Sequence, residues 1–189
     1  MTASPRLTRL EILAAMGLTA VGLLLVARLW QFFDPLAQFP WVWRVEDVGW
    51  GMALGLTITG LSRVMHWLWP SYRACSEDYM SLVLTPLAWP DLLWLTLLPA
   101  LSEELLFRGV ILPALQPPWL GLLVSSLCFG ILHMGGWRQW PYGLWATVIG
   151  LALGGVVLWR DNLLVAVVAH GVTNGLSAAL WKWQHRQAR

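Results

Sequence analysis

Glu103 and Glu104 stand side by side in the run Leu-Ser-Glu-Glu-Leu-Leu-Phe-Arg-Gly (101–109), and Arg108 follows Glu104 by four residues. On a helix that spacing puts Glu104 and Arg108 on one face, where they can neutralise each other. Glu103 is turned by about 100° from its neighbour and cannot share that arrangement equally. A carboxylate left without a partner among apolar helices can exchange protons near neutral pH, as a general base acting on water must. His133 closes the run Phe-Gly-Ile-Leu-His (129–133) with no charge near it in sequence. In His-Gly-Val-Thr-Asn (170–174) the imidazole of His170 and the carboxamide of Asn174 again share a helical face, a pairing suited to hydrogen-bonding a developing oxyanion.

Each group also has a plainer use. Glu104 with Arg108 could be a structural ion pair, His133 an interfacial histidine, and His170 with Asn174 polar glue between helices. Their concurrence is harder to explain this way, because charges near the middle of a membrane segment cost about 2.5–3.5 kcal/mol each. Ser102 and Ser126 have no Gly-x-Ser-x-Gly turn or Ser/Lys arrangement that would mark a nucleophile. Two Glu and two His (Glu103, Glu104, His133, His170) could bind Zn²⁺, yet the His-Glu-x-x-His helix of common zinc peptidases is missing. Cys75 and Cys128 have no ligand spacing.

The elements that must carry these groups belong to a lipid solvent. Of the 189 residues 58% are hydrophobic and 12% charged, with a mean hydropathy of +0.61, against the ~45–50% apolar usage of soluble domains. The expected fold is all-α, a polytopic helical bundle of about six spans. The apolar segments run roughly over 10–30, 47–69, 81–101, 119–134, 141–159 and 162–181. Segment 119–134 is short for a full crossing. Pro86, Pro90 and Pro99 predict a broken third segment, with the helix bearing Glu103 resuming after Pro99 and a wet cavity or protein meeting the freed backbone groups. The stretch from Leu10 to Trp30 is too long for a cleavable signal and is expected to remain as the first span. Many of the 15 Trp lie near segment ends, as amphipathic rings do at headgroup level.

Arg6 and Arg9 precede the first span and Lys182, Arg186 and Arg189 follow the last, so both termini are expected on the cytoplasmic side of a plasma (inner) membrane. The organisation expected is N-terminal transmembrane helices over 1–84, a core over 85–181 and a basic tail over 182–189. Arg28, Arg63 and His66 are expected to snorkel to the surface, and Gly150 with Gly154 to let two helices pack closely. A net charge of +2 with no basic stripe excludes a nucleic-acid partner; the lipid bilayer and a peptide remain.

Glu-Glu-x-x-x-Arg (103–108), Phe-x-x-x-His (129–133) and His-x-x-x-Asn (170–174), in that order, resemble the CPBP family, the CAAX-processing and bacteriocin-processing intramembrane proteases also called Abi. The resemblance covers about residues 85–181. It implies an intramembrane endopeptidase with a four-helix core, in which Glu103 and His133 activate water, His170 and Asn174 stabilise the oxyanion, and Glu104 and Arg108 support the site or help hold the substrate terminus. The implied substrate is a membrane-associated or lipidated, CAAX-like peptide. A metal-free glutamic mechanism is favoured over a zinc enzyme. A silent scaffold of the same family and a proton-coupled transporter are the alternatives that use the same groups.

Overall fold

The computed structural model describes residues 7–35 and 38–186, and every element among them is helical. The chain builds α1 (Arg9–Phe33), α2 (Val45–Leu68), α3 (Pro70–Leu84), α4 (Leu92–Leu106), a π turn (Phe107–Ile111) running into the short α5 (Leu112–Ala114), α6 (Pro118–Leu132), α7 (Trp140–Arg160) and α8 (Leu163–Arg186). Arg6 and Arg189 of the charge argument lie outside the described residues. By length and apolarity, α1, α8 and the stretch Trp137–Arg160 could each cross a membrane, and the bent pair Pro70–Leu84 with Trp89–Ala114 makes a further span if counted as one. The first helix is capped as its sequence demands: the Thr8 hydroxyl accepts from the Glu11 amide at 3.3 Å while the Glu11 carboxylate accepts from the Thr8 amide at 2.7 Å.

The third apolar segment departs from expectation. No helix covers 81–101; α3 ends at Leu84, the chain turns by 112°, and α4 begins at Leu92. The break falls at 85–88 with Pro86, whereas Pro99 sits inside α4 without ending it. Pro99 has no N–H for the carbonyl of Leu95, and both residues line an internal chamber. The expected break is present at Pro86, but the helix bearing Glu103 resumes at Leu92, before Pro99 and not after it, because the carbonyl that Pro99 frees faces a cavity the sequence could not locate. Further along, Pro113 likewise leaves the Gly109 carbonyl without its usual helical partner; the Phe39 amide supplies one at 3.0 Å, and the helix widens to π at that point.

Both ends of the bundle are tied by polar contacts. At one end Arg9 pairs with Asp91 at 2.7 Å, and the Lys182 ammonium donates to the carbonyls of Leu84 and Leu87 at 3.0 and 2.6 Å. The start of α1 and the end of α8 therefore meet at the same corner. α8 remains helical to Arg186, so Lys182 and His185 project from a helix rather than from a loose tail. At this end His66 also lies between α2 and α3, 3.3 Å from the Ser76 hydroxyl and 3.5 Å from Glu77, instead of reaching out to the surface.

At the opposite end Asp47 is fully buried, accepting from Arg160 Nε and Asn162 Nδ2 at 2.6 Å each. Asn162 also donates to the Val42 carbonyl and accepts from the amides of Val42 and Leu164, which clasps the 38–44 loop to the α7–α8 corner.

Between these ends the helices approach through glycine. A Cβ on Gly55 of α2 would lie 2.6 Å from the Ala169 carbonyl and 2.7 Å from Val172 Cβ on α8. Gly150 faces Ser126 and Arg108, and Gly154 faces Leu122 and Leu112, so the small residues of α7 do serve close packing. Trp43, Trp67, Trp137, Trp159 and Trp183 are exposed near helix ends as expected of a headgroup belt, whereas Trp181 is buried and donates to Glu77 at 2.9 Å.

Candidate functional site

Glu103 and Glu104 leave α4 in different directions, as their 100° offset requires. Glu104 points into the core, where its Oε1 accepts from Arg108 at 2.8 Å and from His170 Nδ1 at 2.7 Å. Both Glu104 and Arg108 are fully buried. The guanidinium also donates to the Gly150 carbonyl at 3.2 Å and lies 4.3 Å from the centroid of the Phe129 ring. Arg108 is fully buried, with its Nε unpaired among the described residues, so the expectation that it helps hold a substrate terminus has no surface from which to act. Its role here is to hold Glu104, which in turn holds the ring of His170.

Glu103 turns toward two imidazoles. Its Oε2 is buried without a hydrogen-bond partner among the described residues, 3.8 Å from His133 Nε2 and 4.0 Å from His170 Nε2. The other ring nitrogens fix the tautomers. His133 Nδ1 meets the Phe129 carbonyl at 2.8 Å, and a carbonyl only accepts, so this nitrogen carries hydrogen. His170 Nδ1 carries hydrogen toward Glu104 by the same reasoning. When neutral, both rings therefore present a lone pair to the Glu103 carboxylate. Separations of 3.8–4.0 Å exceed a direct hydrogen bond but suit one water bridging the acceptors.

Asn174, one turn beyond His170, lines the same inner chamber as Glu103, His133 and His170. The residues singled out by sequence thus converge from α4, α6 and α8 on one place. Phe129 underlies them, its ring 4.3 Å from that of His133 and 5.9 Å from that of His170. Its i, i+4 spacing to His133 was the signal for this contact. Tyr79 and Tyr142 were not foreseen. Their rings lie 5.3 Å apart beside the site, and nothing in their sequence spacing relates them to the acidic pair.

The chamber, about 160 Å³ and itself partly open, is lined by residues of α2, α3, α4, α6, α7 and α8. A broader cleft of about 1090 Å³ opens on the other side, bounded by Thr19 and Leu23 of α1, by the end of α3 and by the end of α6. Glu103, His133 and Tyr79 line both spaces and form the partition between them.

For zinc the fit is poor. Among the described residues no three His, Cys, Asp or Glu side chains are set to hold a metal ion. Ligands about a tetrahedral zinc stand about 3.4 Å apart, closer than the 3.8 and 4.0 Å found around Glu103; Glu104 Oε1 is shared by Arg108 and His170, while its Oε2 has no partner among the described residues.

Residues 85–176 match the family model described as type II CAAX prenyl endopeptidase Rce1-like. This stretch is similar to the Rce1-like family. It contains every residue of the cluster, and it agrees with the resemblance read from the three motifs. The family is one of CAAX-type proteases, and the long apolar helices suit an integral membrane protein. Over 158 residues the chain is 28% identical to the uncharacterized protein YpbD of Bacillus subtilis (strain 168), an alignment spanning 82% of this chain and 80% of that protein. It is also 32% identical over 79 residues to the UPF0177 protein YxdF of Lactococcus lactis subsp. lactis, covering 39% of this chain and 40% of the relative. No solved structure matches the chain.

Proposed function

We propose that the protein is an intramembrane endopeptidase that hydrolyses a peptide bond of a membrane-associated or lipidated substrate by a metal-free, glutamic mechanism. The observation that carries this reading is the unpartnered Glu103 carboxylate facing two Nε2 atoms at 3.8 and 4.0 Å, on the partition between an open cleft and an inner chamber. Substrate enters the cleft from the α1 side, with its scissile carbonyl oxygen turned inward.

Glu103 takes a proton from water while His133 Nε2 accepts the second hydrogen and aims the oxygen lone pair at the carbonyl carbon. The new C–O bond pushes charge onto the carbonyl oxygen, which receives hydrogen bonds from Asn174 and from His170 Nε2–H. In this step His170 carries both ring protons, Nδ1–H held by Glu104 and Nε2–H turned to the oxyanion. Collapse breaks the C–N bond, and the amine leaves with the proton held by Glu103. The site lies among apolar helices, where such dipoles and charges act more strongly than in water.

The test uses the full chain in nanodiscs with an internally quenched, prenylated CAAX peptide. Glu103→Gln and His133→Ala are each expected to lower kcat by at least about a hundredfold while the protein keeps its helical spectrum. Full cleavage by either variant refutes the mechanism. Wild-type protein that leaves this peptide intact refutes the prenyl-peptide substrate.

A further inference from the structure

The inner chamber is lined mostly by apolar side chains, but it also carries polar groups that the proposed chemistry does not use. Tyr142 and Ser177 line it and have no hydrogen bond to protein among the described residues. Ser177 is on the face of α8 that carries His170 and Asn174. The far end is polar as well, where Ser62 accepts from Trp145 Nε1 at 2.9 Å. The Leu95 carbonyl, deprived of its ordinary partner by Pro99, belongs to a residue of the same wall. Leu84 and Leu153, both fully buried, close the chamber on its apolar side.

Buried polar groups are hydrogen-bonded, and cavities that stay dry are apolar. A chamber of about 160 Å³ has room for on the order of five waters at ~30 Å³ each. The Glu103–His133 partition lies between this chamber and the cleft.

We propose that the inner chamber is a water store for the protease, held by Tyr142, Ser177 and the site residues, which feeds the Glu103–His133 partition from the side opposite the peptide. This rests on the protease reading and adds to it a division of labour. Hydrolysis within an apolar bundle consumes one water per turnover, and a peptide filling the cleft blocks entry from that direction. The store supplies water while the peptide is bound.

The experiment is hydroxyl-radical footprinting of the full chain in lipid nanodiscs, in which radicals formed from bound water oxidise adjacent rings. Tyr72, only 5% exposed, lines the chamber, whereas Ile58, 4% exposed, lines neither the chamber nor the cleft. With each rate divided by that of the free amino acid, Tyr72 is expected to be oxidised at least about tenfold faster than Ile58. Ser177→Leu, which adds bulk and removes the hydroxyl, should protect Tyr72 and Tyr142 and lower kcat by about tenfold with KM changed less than about twofold. Ser177→Thr should keep both labelling and turnover.

Tyr72 oxidised no faster than Ile58 on that scale in the wild-type protein overturns the proposal, and that measurement needs no variant to fold. Ser177→Leu with a raised KM and an unchanged kcat also overturns it, since the chamber would then be a pocket for a substrate side chain. Either failure leaves the protease reading standing if Glu103→Gln still abolishes cleavage.

Discussion

Arg108→Met tests the buried polar chain that holds His170. Arg108 and Glu104 are both fully buried and meet at 2.8 Å. At an effective dielectric of ~20 their gross attraction is about 6 kcal/mol, opposed by the desolvation of both ions. Removing the guanidinium leaves a buried carboxylate with His170 Nδ1 as its remaining partner, and breaking a buried pair in this way costs about 3–5 kcal/mol. Glu104→Gln should cost a comparable amount, because it strands the cation. With both substitutions no unpaired ion remains, so the loss should fall short of the sum of the single losses by roughly 1–3 kcal/mol. The assay is denaturant unfolding in bicelles, followed by circular dichroism, on the two single variants and the double variant. Losses that add to within about 0.5 kcal/mol would refute the reasoning, because the two side chains would then contribute independently.

Two more expectations concern how α8 is positioned. Gly55→Ala puts a Cβ 2.6 Å from the Ala169 carbonyl, next to His170. It should destabilise the protein by about 1–3 kcal/mol and lower kcat together with stability, as thermal melts and turnover on the same preparations will report; an unchanged melting temperature would contradict the close α2–α8 packing. Asp47→Asn keeps the shape but removes the charge that binds Arg160 and Asn162. It should cost about 1–3 kcal/mol in the same unfolding assay, and no loss would mean that the Asp47–Asn162 clasp does not hold the start of α8.

The chemistry was legible in the sequence wherever it depended on local helical geometry. Glu104 with Arg108 and His170 with Asn174 are i, i+4 relations, so spacing alone told which groups share a face and that Glu103 turns elsewhere. The lipid solvent was legible as well, because 58% hydrophobic residues in long segments have no soluble explanation. The extent of the third helix was not. A proline announces a lost hydrogen bond, but whether the helix breaks depends on what lies beside the freed carbonyl. For Leu95 it is a chamber wall, and for Gly109 it is the Phe39 amide from a distant loop.

Partnerships between helices were decided only by the tertiary structure. Glu104 is divided between Arg108 and His170, an interaction 66 residues apart in sequence that takes Arg108 away from any substrate. Tyr79 and Tyr142 stand at the site because α3 lies bent against α7. Spacing along one helix fixes a direction about its own axis; which neighbour that direction meets is set by the close approach of α2 to α8 and of α6 to α7 through their glycines, and that approach exists only once the helices have packed.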